Sequence, residues 1–155
     1  MITLFTIGSS GWDARGFFET LRAAGVRRVL DIRQGGNTLL SGFAIKRDLP
    51  YLLRAIAGID YVELPQLAPT EAAFRAYRKR SISTDAYLAA YAEQIAQTGA
   101  PDTLDPTLLD GGCLLCSEHE PTACHRRIAA EAIAARWPEV DIRHLTRAGD
   151  RLHYV

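Results

Sequence analysis

The sequence predicts an α/β fold, a single three-layer domain in which helices cover both faces of a mainly parallel sheet of about five strands. Segments rich in β-branched residues alternate with segments of helical periodicity, which is typical of βαβ units. The 155 residues, 48% hydrophobic and 23% charged, match an ordinary globular chain with one core. We therefore expect one domain over residues 1–155.

Six short apolar segments are the predicted strands of this sheet. They cover residues 2–7, 26–32, 60–64, 112–116 and 141–145, with a terminal edge strand at 151–155. The first ends at a Gly-Ser-Ser-Gly turn and the second at Asp31-Ile32-Arg33. The connections between strands are long enough for helical crossovers, which favours parallel pairing.

The helices are predicted from their caps and their apolar stripes. Asp13 is a suitable N-cap for the first helix, which buries Phe17, Phe18, Leu21 and Ala24 and ends at Gly25. Further helices are expected over residues 49–57, 70–79, 84–97 and 122–137, the last one capped by Thr122. A glycine-containing loop at 34–43 and a linker at 99–110 connect the remaining elements.

The charge balance argues against a protein dedicated to duplex DNA. Eighteen basic and eighteen acidic side chains leave a formal net charge of zero. A protein that binds duplex DNA usually carries an excess of basic residues, because they neutralise the phosphates of the DNA backbone. A local basic cluster remains at Arg75, Arg78, Lys79 and Arg80, and it is typical of a solvated helix end. A nucleic-acid-associated module is thus a disfavoured alternative.

Compartment and partners follow from what the sequence lacks. No apolar run reaches the roughly 18 residues of a membrane span, and the N-terminus is predicted as a strand and not as a signal peptide. The three cysteines fall within a dozen positions, unlike the even, spread set of a secreted disulfide framework. We expect a cytoplasmic protein with no membrane partner; the oligomeric state stays open.

Polar residues follow three predicted strands directly. They are Ser9 and Ser10 after the first strand, Asp31 and Arg33 after the second, and the segment from Cys116 after the fourth. Ligands of open parallel sheets bind at the carboxyl ends of the strands. Asp31 and Arg33 lie two positions apart, so their side chains point the same way and can form an ion pair.

The segment from Cys116 to Arg126 contains most of the candidate catalytic and ligand-binding residues. Three interpretations of this segment stay open. Cys124 lies near a helix N-terminus, where partial positive charge favours a thiolate; it is then a nucleophile, with His125 or Glu118 as proton carrier. Alternatively, the helix start, Arg126 and Arg33 hold an anion. In the third interpretation the cysteines are only small buried residues.

A zinc site is the weakest of the alternatives weighed for this segment. Cys113, Cys116, His119, Cys124 and His125 offer enough donor atoms. However, Cys113 and Cys116 lie three positions apart on one strand, so their side chains point to opposite faces. We predict no metal site, and the sequence identifies no cofactor.

The order of these motifs resembles the family called domain of unknown function 488. The resemblance is carried by Thr6-Ile7-Gly8-Ser9-Ser10, Asp31-Ile32-Arg33, residues 60–64, Cys116-Ser117-Glu118 and Cys124-His125-Arg126-Arg127. It spans nearly the whole chain and implies a compact α/β domain, without an established activity, substrate or cofactor. Members commonly have histidine where this chain has Ser9, and a proline- and arginine-containing loop where it has residues 34–38.

The sequence thus predicts a strand-end pocket for a small anionic or nucleotide-like ligand. The ligand-binding residues are expected to be Ser9, Ser10, Asp31, Arg33, Cys116 and Arg126. The alternative is a thiol-dependent enzyme with Cys124 as nucleophile, assisted by His125 and Glu118.

Overall fold

A six-stranded sheet organises the chain in the computed structural model, which describes residues 1–35, 39–121, 124–148 and 151–154. For residues 39–41, 148 and 151–154 it describes the backbone alone. The strands are β1 (Ile2–Gly8), β2 (Arg28–Asp31), β3 (Asp60–Glu63), β4 (Gly112–Cys116), β5 (Val140–Ala148) and β6 (Arg151–Tyr154). Their order is β3-β2-β4-β1-β5-β6. The first five are parallel and β6 is antiparallel to β5, which confirms the predicted α/β fold.

Helices pack on both faces of this sheet. They are α1 (Ala14–Ala24), α2 (Leu49–Leu52, continued by a π-helical turn, Leu53–Ala57), α3 (Glu71–Arg78), α4 (Thr84–Thr98) and α5 (His125–Arg136). One core contains buried side chains of α1 and α2, and the other contains those of α4 and α5. Along β4, Cys113 belongs to the first core and Cys116 to the second, as the alternation along a strand predicts.

The helix signals of the sequence explain most boundaries. The Asp13 side chain accepts a hydrogen bond from the Gly16 amide, and Gly25 ends α1 in the left-handed conformation with φ of 81°. Strand β2 is shorter than predicted because the Val26 amide still donates to the Leu21 carbonyl of α1. The 99–110 linker contains two short 3-10 helices, Ala100–Thr103 and Pro106–Leu108.

The start of α5 differs from its prediction. The helix begins at His125 and its N-cap is Cys124, which has an extended backbone (φ −128°, ψ 142°) and accepts the Arg126 amide on its sulfur. The predicted cap, Thr122, lies outside the described residues, as do residues 36–38 of the predicted loop. In the part of the chain that the structure describes, no helix is long and apolar enough to cross a bilayer.

Parallel pairing continues past the strand ends and draws the following loops together. The Ser9 amide donates to the Cys116 carbonyl at 2.8 Å, and the Ile32 amide donates to the Leu115 carbonyl at 3.1 Å. The chain after β4 then crosses directly over Gly8, leaving no room there for a side chain.

We predict that Gly8→Ala strongly destabilises the protein. A Cβ atom at Gly8 would collide with the Glu118 carbonyl oxygen and lie 2.9 Å from Nη1 of Arg126. The free energy of unfolding, measured by urea denaturation, should fall by about 3 kcal/mol or more. The matched control is Gly42→Ala, whose Cβ meets no atom within 4 Å; equal stability of the two variants would contradict the close crossing.

Candidate functional site

The predicted polar segments meet at the carboxyl edge of the sheet. Strands β1, β2 and β4 are neighbours, so the residues that follow them lie side by side, and α5 begins over the same edge. The His125 ring contacts the Ile32 carbonyl after β2, and Arg126 reaches the chain after β4. Residues far apart in sequence therefore share one site region.

Cys116 and Cys124 form a disulfide at the centre of this region. Cys116 ends β4 and Cys124 caps α5, and both are buried. Sequence analysis did not predict this pairing. Each sulfur also accepts an N–H group of one residue: the Arg126 amide lies 3.3 Å from Sγ of Cys124, and Nη1 of Arg126 lies 3.6 Å from Sγ of Cys116.

His125 presents an unprotonated nitrogen to the cysteines. Its Nε2 lies 3.0 Å from the Ile32 carbonyl oxygen, which can only accept, so Nε2 carries the hydrogen. Burial lowers the pKa of His125 to about 4, so the ring is neutral near pH 7 and Nδ1 keeps its lone pair. That Nδ1 lies 4.0 Å from Sγ of Cys124.

Arg126 is a fully buried cation that holds the loop after β4. Its guanidinium donates to Thr6 Oγ1 at 3.0 Å, to the carbonyl oxygens of Glu118 and His119, and to the Cys116 sulfur. Burial lowers its pKa to about 10, so it stays charged at neutral pH. Among the described residues no carboxylate forms an ion pair with it, and its charge therefore favours an anion at the Cys116 sulfur.

Arg33 is also buried, but it has a carboxylate partner. Its Nε and Nη2 donate to the two carboxylate oxygens of Asp31 at 3.0 and 2.8 Å, and its Nη1 donates to the Ala44 carbonyl. Tyr61 donates to the same carboxylate at 2.5 Å. The ion pair predicted from the two-residue spacing is thus present, and both guanidinium groups of the predicted pocket are engaged by the protein itself.

Two cavities open at this edge of the sheet. One of about 350 Å³ is lined by Asp31, Arg33, Gln34, Lys46 and Thr70, among others. A smaller one of about 30 Å³ is bounded by Arg33, Tyr77, Tyr87, Glu118, Cys124 and His125. A wider groove at the end of α3 and the start of α4 shares Tyr77 and Glu118 with the small cavity.

The remaining predicted residues border the region in different ways. Ser9 is buried and donates its amide to β4, whereas Ser10 is half-buried and its carbonyl lies 3.0 Å from Nδ1 of His119. Glu118 is exposed, and it meets Arg126 through its carbonyl and not through its carboxylate. Glu118 is also one of the residues that line the small cavity.

Sequence analysis gave no role to Thr6 and His144, which complete the buried network. Thr6 Oγ1 accepts from Nε of Arg126 and lies within hydrogen-bond distance, 2.6 Å, of Nδ1 of His144. Burial, and then the charge of Arg126, lowers the pKa of His144 to about 4. The buried network could have been suspected from the threonine inside the apolar segment of β1, because a buried hydroxyl group requires hydrogen-bond partners.

One comparison with known proteins matches this chain to a family model. The family model described as domain of unknown function DUF488 matches residues 13–133. That range contains Asp31, Arg33 and the whole segment from Cys116 to Arg126, and it excludes Ser9 and Ser10. No curated protein and no solved structure matches the chain.

We predict that two neutral histidines make the protein sensitive to acid. The folded pKa values of His125 and His144 lie near 4, below the usual 6.5, so the unfolded chain binds more protons between these pH values. Stability is therefore fully present above pH 6.5 and is lost as the pH falls towards 4, on the order of 3 kcal/mol for fully buried His125.

The measurement is urea denaturation from pH 7.5 to 4 for the parent and His144→Gln. Glutamine offers Thr6 an acceptor but does not titrate, so the variant should lose stability less steeply with acid. Identical slopes would show that His144 is not held neutral in the folded protein.

Proposed function

Since the chain belongs to the DUF488 family, whose description names no reaction, we propose from the site geometry that it is a thiol-dependent enzyme with Cys124 as nucleophile. The observation that carries the proposal is the position of Nδ1 of neutral His125, 4.0 Å from the Cys124 sulfur, where both residues line a small cavity. A nucleophilic thiol requires a base within reach, and this nitrogen is such a base.

The surroundings of Cys124 support a reactive thiolate in the reduced protein. The sulfur accepts the Arg126 amide at the N-terminus of α5, where unpaired N–H groups stabilise negative charge. In the proposed reaction Nδ1 of His125 accepts the proton of the Cys124 thiol as the sulfur attacks, and Glu118, which lines the same cavity, carries it on to the departing substrate thiolate. The ring does not keep the proton, because its burial favours the neutral form.

Cys116 is the resolving thiol in this proposal, and the reaction class is thiol–disulfide exchange with a small-molecule disulfide. The Cys124 thiolate attacks one sulfur of the substrate, forms a mixed disulfide and releases the first substrate thiolate. The Cys116 thiolate then attacks the Cys124 sulfur, which forms the protein disulfide and releases the second thiolate. The substrate gains two electrons, the protein loses two, and a small dithiol resets it.

The positions of the three cysteines also support these roles. Cys124 borders the small cavity, whereas Cys116 lies behind it against Arg126, so Cys124 meets a substrate first. Cys113 lies in the other core, and burial raises the pKa of its thiol. The cytoplasmic location predicted from the sequence remains part of this proposal, because a reducing compartment keeps the pair available as thiols.

We expect the reduced native protein to alkylate at Cys124 faster than at either other cysteine, as read by mass spectrometry of its peptides at pH 7. Cys124→Ser should abolish the fast phase and the reduction of a chromogenic aromatic disulfide, and His125→Asn should slow both. Cys113→Ala is the matched control and should leave both rates unchanged. If Cys124 reacts only after the protein is unfolded, the thiol proposal is wrong.

A second candidate function is favoured by the larger cavity. Its volume of about 350 Å³ falls within the range of about 300–1,000 Å³ typical of ligand sites. Arg33 is engaged with Asp31, but the Lys46 ammonium, 3.8 Å from the Glu63 carboxylate, is only loosely paired. We propose that this cavity holds a small anionic or nucleotide-like ligand, mainly through Lys46.

Lys46→Met is therefore expected to weaken the binding of adenosine monophosphate or inorganic phosphate at least tenfold in calorimetric titrations, because it removes the charge that faces the cavity. Lys79→Met, on an exposed residue outside this cavity, is the charge-matched control. Unchanged affinity in Lys46→Met would remove this candidate.

The basic cluster carries no proposal of a nucleic-acid role. Arg75 pairs with Glu71 one turn earlier on α3, and the Arg78 guanidinium lies 5.7 Å from the centre of the Phe74 ring. Both contacts join residues of α3 itself.

A further inference from the structure

Two sulfurs and one imidazole nitrogen come together in the site region. The ligand atoms of Cys116, Cys124 and His125 lie within 4.8 Å of one another, and all three residues are buried. We propose that the reduced protein binds one zinc ion through these three residues. The inference goes beyond the proposed function and rests on it in one respect, since the cysteine pair must be reducible.

The donor set fits the coordination chemistry of zinc. Zinc prefers thiolate and imidazole ligands in tetrahedral geometry, with bonds of about 2.3 Å to sulfur and 2.0–2.1 Å to nitrogen. Such bonds place the two sulfurs roughly 3.8 Å apart. The Cα atoms of Cys116 and Cys124 are 7.3 Å apart, beyond the range of about 4.4–6.8 Å usual for disulfides, and a shared ion spans a wider gap than a direct bond.

His125 is already oriented as a metal ligand. A histidine that binds a metal through one ring nitrogen commonly donates its other N–H group to a backbone carbonyl, which fixes the ring and its tautomer. Here Nε2 donates to the Ile32 carbonyl at 3.0 Å. Nδ1 is thereby left with its lone pair on the side of the two sulfurs, and no proton has to be removed from it before it binds an ion.

Arg126 provides the electrostatic support that two thiolates require. Its backbone amide donates to the Cys124 sulfur and its Nη1 donates to the Cys116 sulfur, so each ligand sulfur has one N–H donor in the second coordination shell. The guanidinium is fully buried and has only neutral oxygen acceptors among the described residues. The negative charges of two thiolates balance the charge of the zinc ion, and the positive charge of Arg126 favours deprotonation of the two thiols.

Cys124 and His125, two of the three proposed ligands, line the small cavity. A volume of about 30 Å³, bounded by Cys124 and His125, is enough for one water molecule. Three protein ligands with one position left for water are typical of catalytic zinc sites, whereas structural sites are closed by four protein ligands. The geometry therefore favours an ion accessible to a small ligand in this cavity, which Glu118 also lines.

No metal site was predicted from the sequence, because the prediction considered Cys113 and Cys116 as a pair, and these two side chains point to opposite faces of the sheet. The structure places Cys113 in the opposite core, as expected, and supplies the second sulfur from Cys124 instead. Zinc binding and disulfide formation use the same two sulfurs, so the two states exclude each other.

The test uses the full chain, reduced with a phosphine under anaerobic conditions and titrated with cobalt(II) as a spectroscopic probe for zinc. We expect one equivalent to bind, with visible absorption typical of tetrahedral cobalt and a near-ultraviolet thiolate-to-cobalt band of the intensity of two thiolates. Added zinc should displace it. Cys116→Ser and Cys124→Ser should lose the one-equivalent binding, and the matched control, Cys113→Ala, should retain it.

A second measurement needs no variant and so does not depend on their folding. Zinc should protect Cys116 and Cys124 of the reduced parent protein from alkylation, read by mass spectrometry at each cysteine. If Cys124 alkylates rapidly in the reduced protein but no cobalt band appears and zinc gives no protection, the zinc site is wrong and the thiol proposal stands. Loss of the band in Cys113→Ala would also overturn the assigned ligands, whereas a Cys124 that stays unreactive without metal would contradict the thiol proposal.

Discussion

Much of the site depends on the buried guanidinium of Arg126, which holds the start of α5 against β1 and against the chain after β4. It donates to Thr6 on β1, to the two carbonyls after β4 and to the Cys116 sulfur. A buried cation is costly unless hydrogen bonds replace its hydration, so the loop must supply its carbonyls at fixed positions. The absence of a side chain at Gly8 allows that loop to cross close enough to do so.

The position of Arg126 also determines the electrostatic environment of the two sulfur atoms. Cys116 and Cys124 are placed between a cation and the N-terminus of α5, both of which favour negative charge. His125 is held by a carbonyl of the neighbouring strand end, so its free nitrogen faces the sulfurs. The same arrangement suits a nucleophilic thiolate and a metal-bound thiolate, because each requires a stabilised anion beside an unprotonated nitrogen.

Much of the fold could be predicted because its signals are local. The Asp13 cap, the Gly25 end of α1 and the two-residue spacing of Asp31 and Arg33 act through neighbours in sequence, and the family resemblance is confirmed by the match over residues 13–133. The start of α5 was misplaced because Cys124 is an unusual cap, with a sulfur in place of the oxygen of Ser, Thr or Asp.

The sequence by itself determined the α/β class, the parallel sheet and the edge at which polar residues collect, since periodicity and caps depend on residues a few positions apart. Only the tertiary structure decided which of these residues touch. The pairing of Cys116 with Cys124, the contact of His125 with Ile32 and the network from Arg126 through Thr6 to His144 join segments whose distance in space is set by strand order and loop path. None of these three contacts can be recognised from sequence periodicity, because each one depends on a single residue at a single position and not on a repeating pattern.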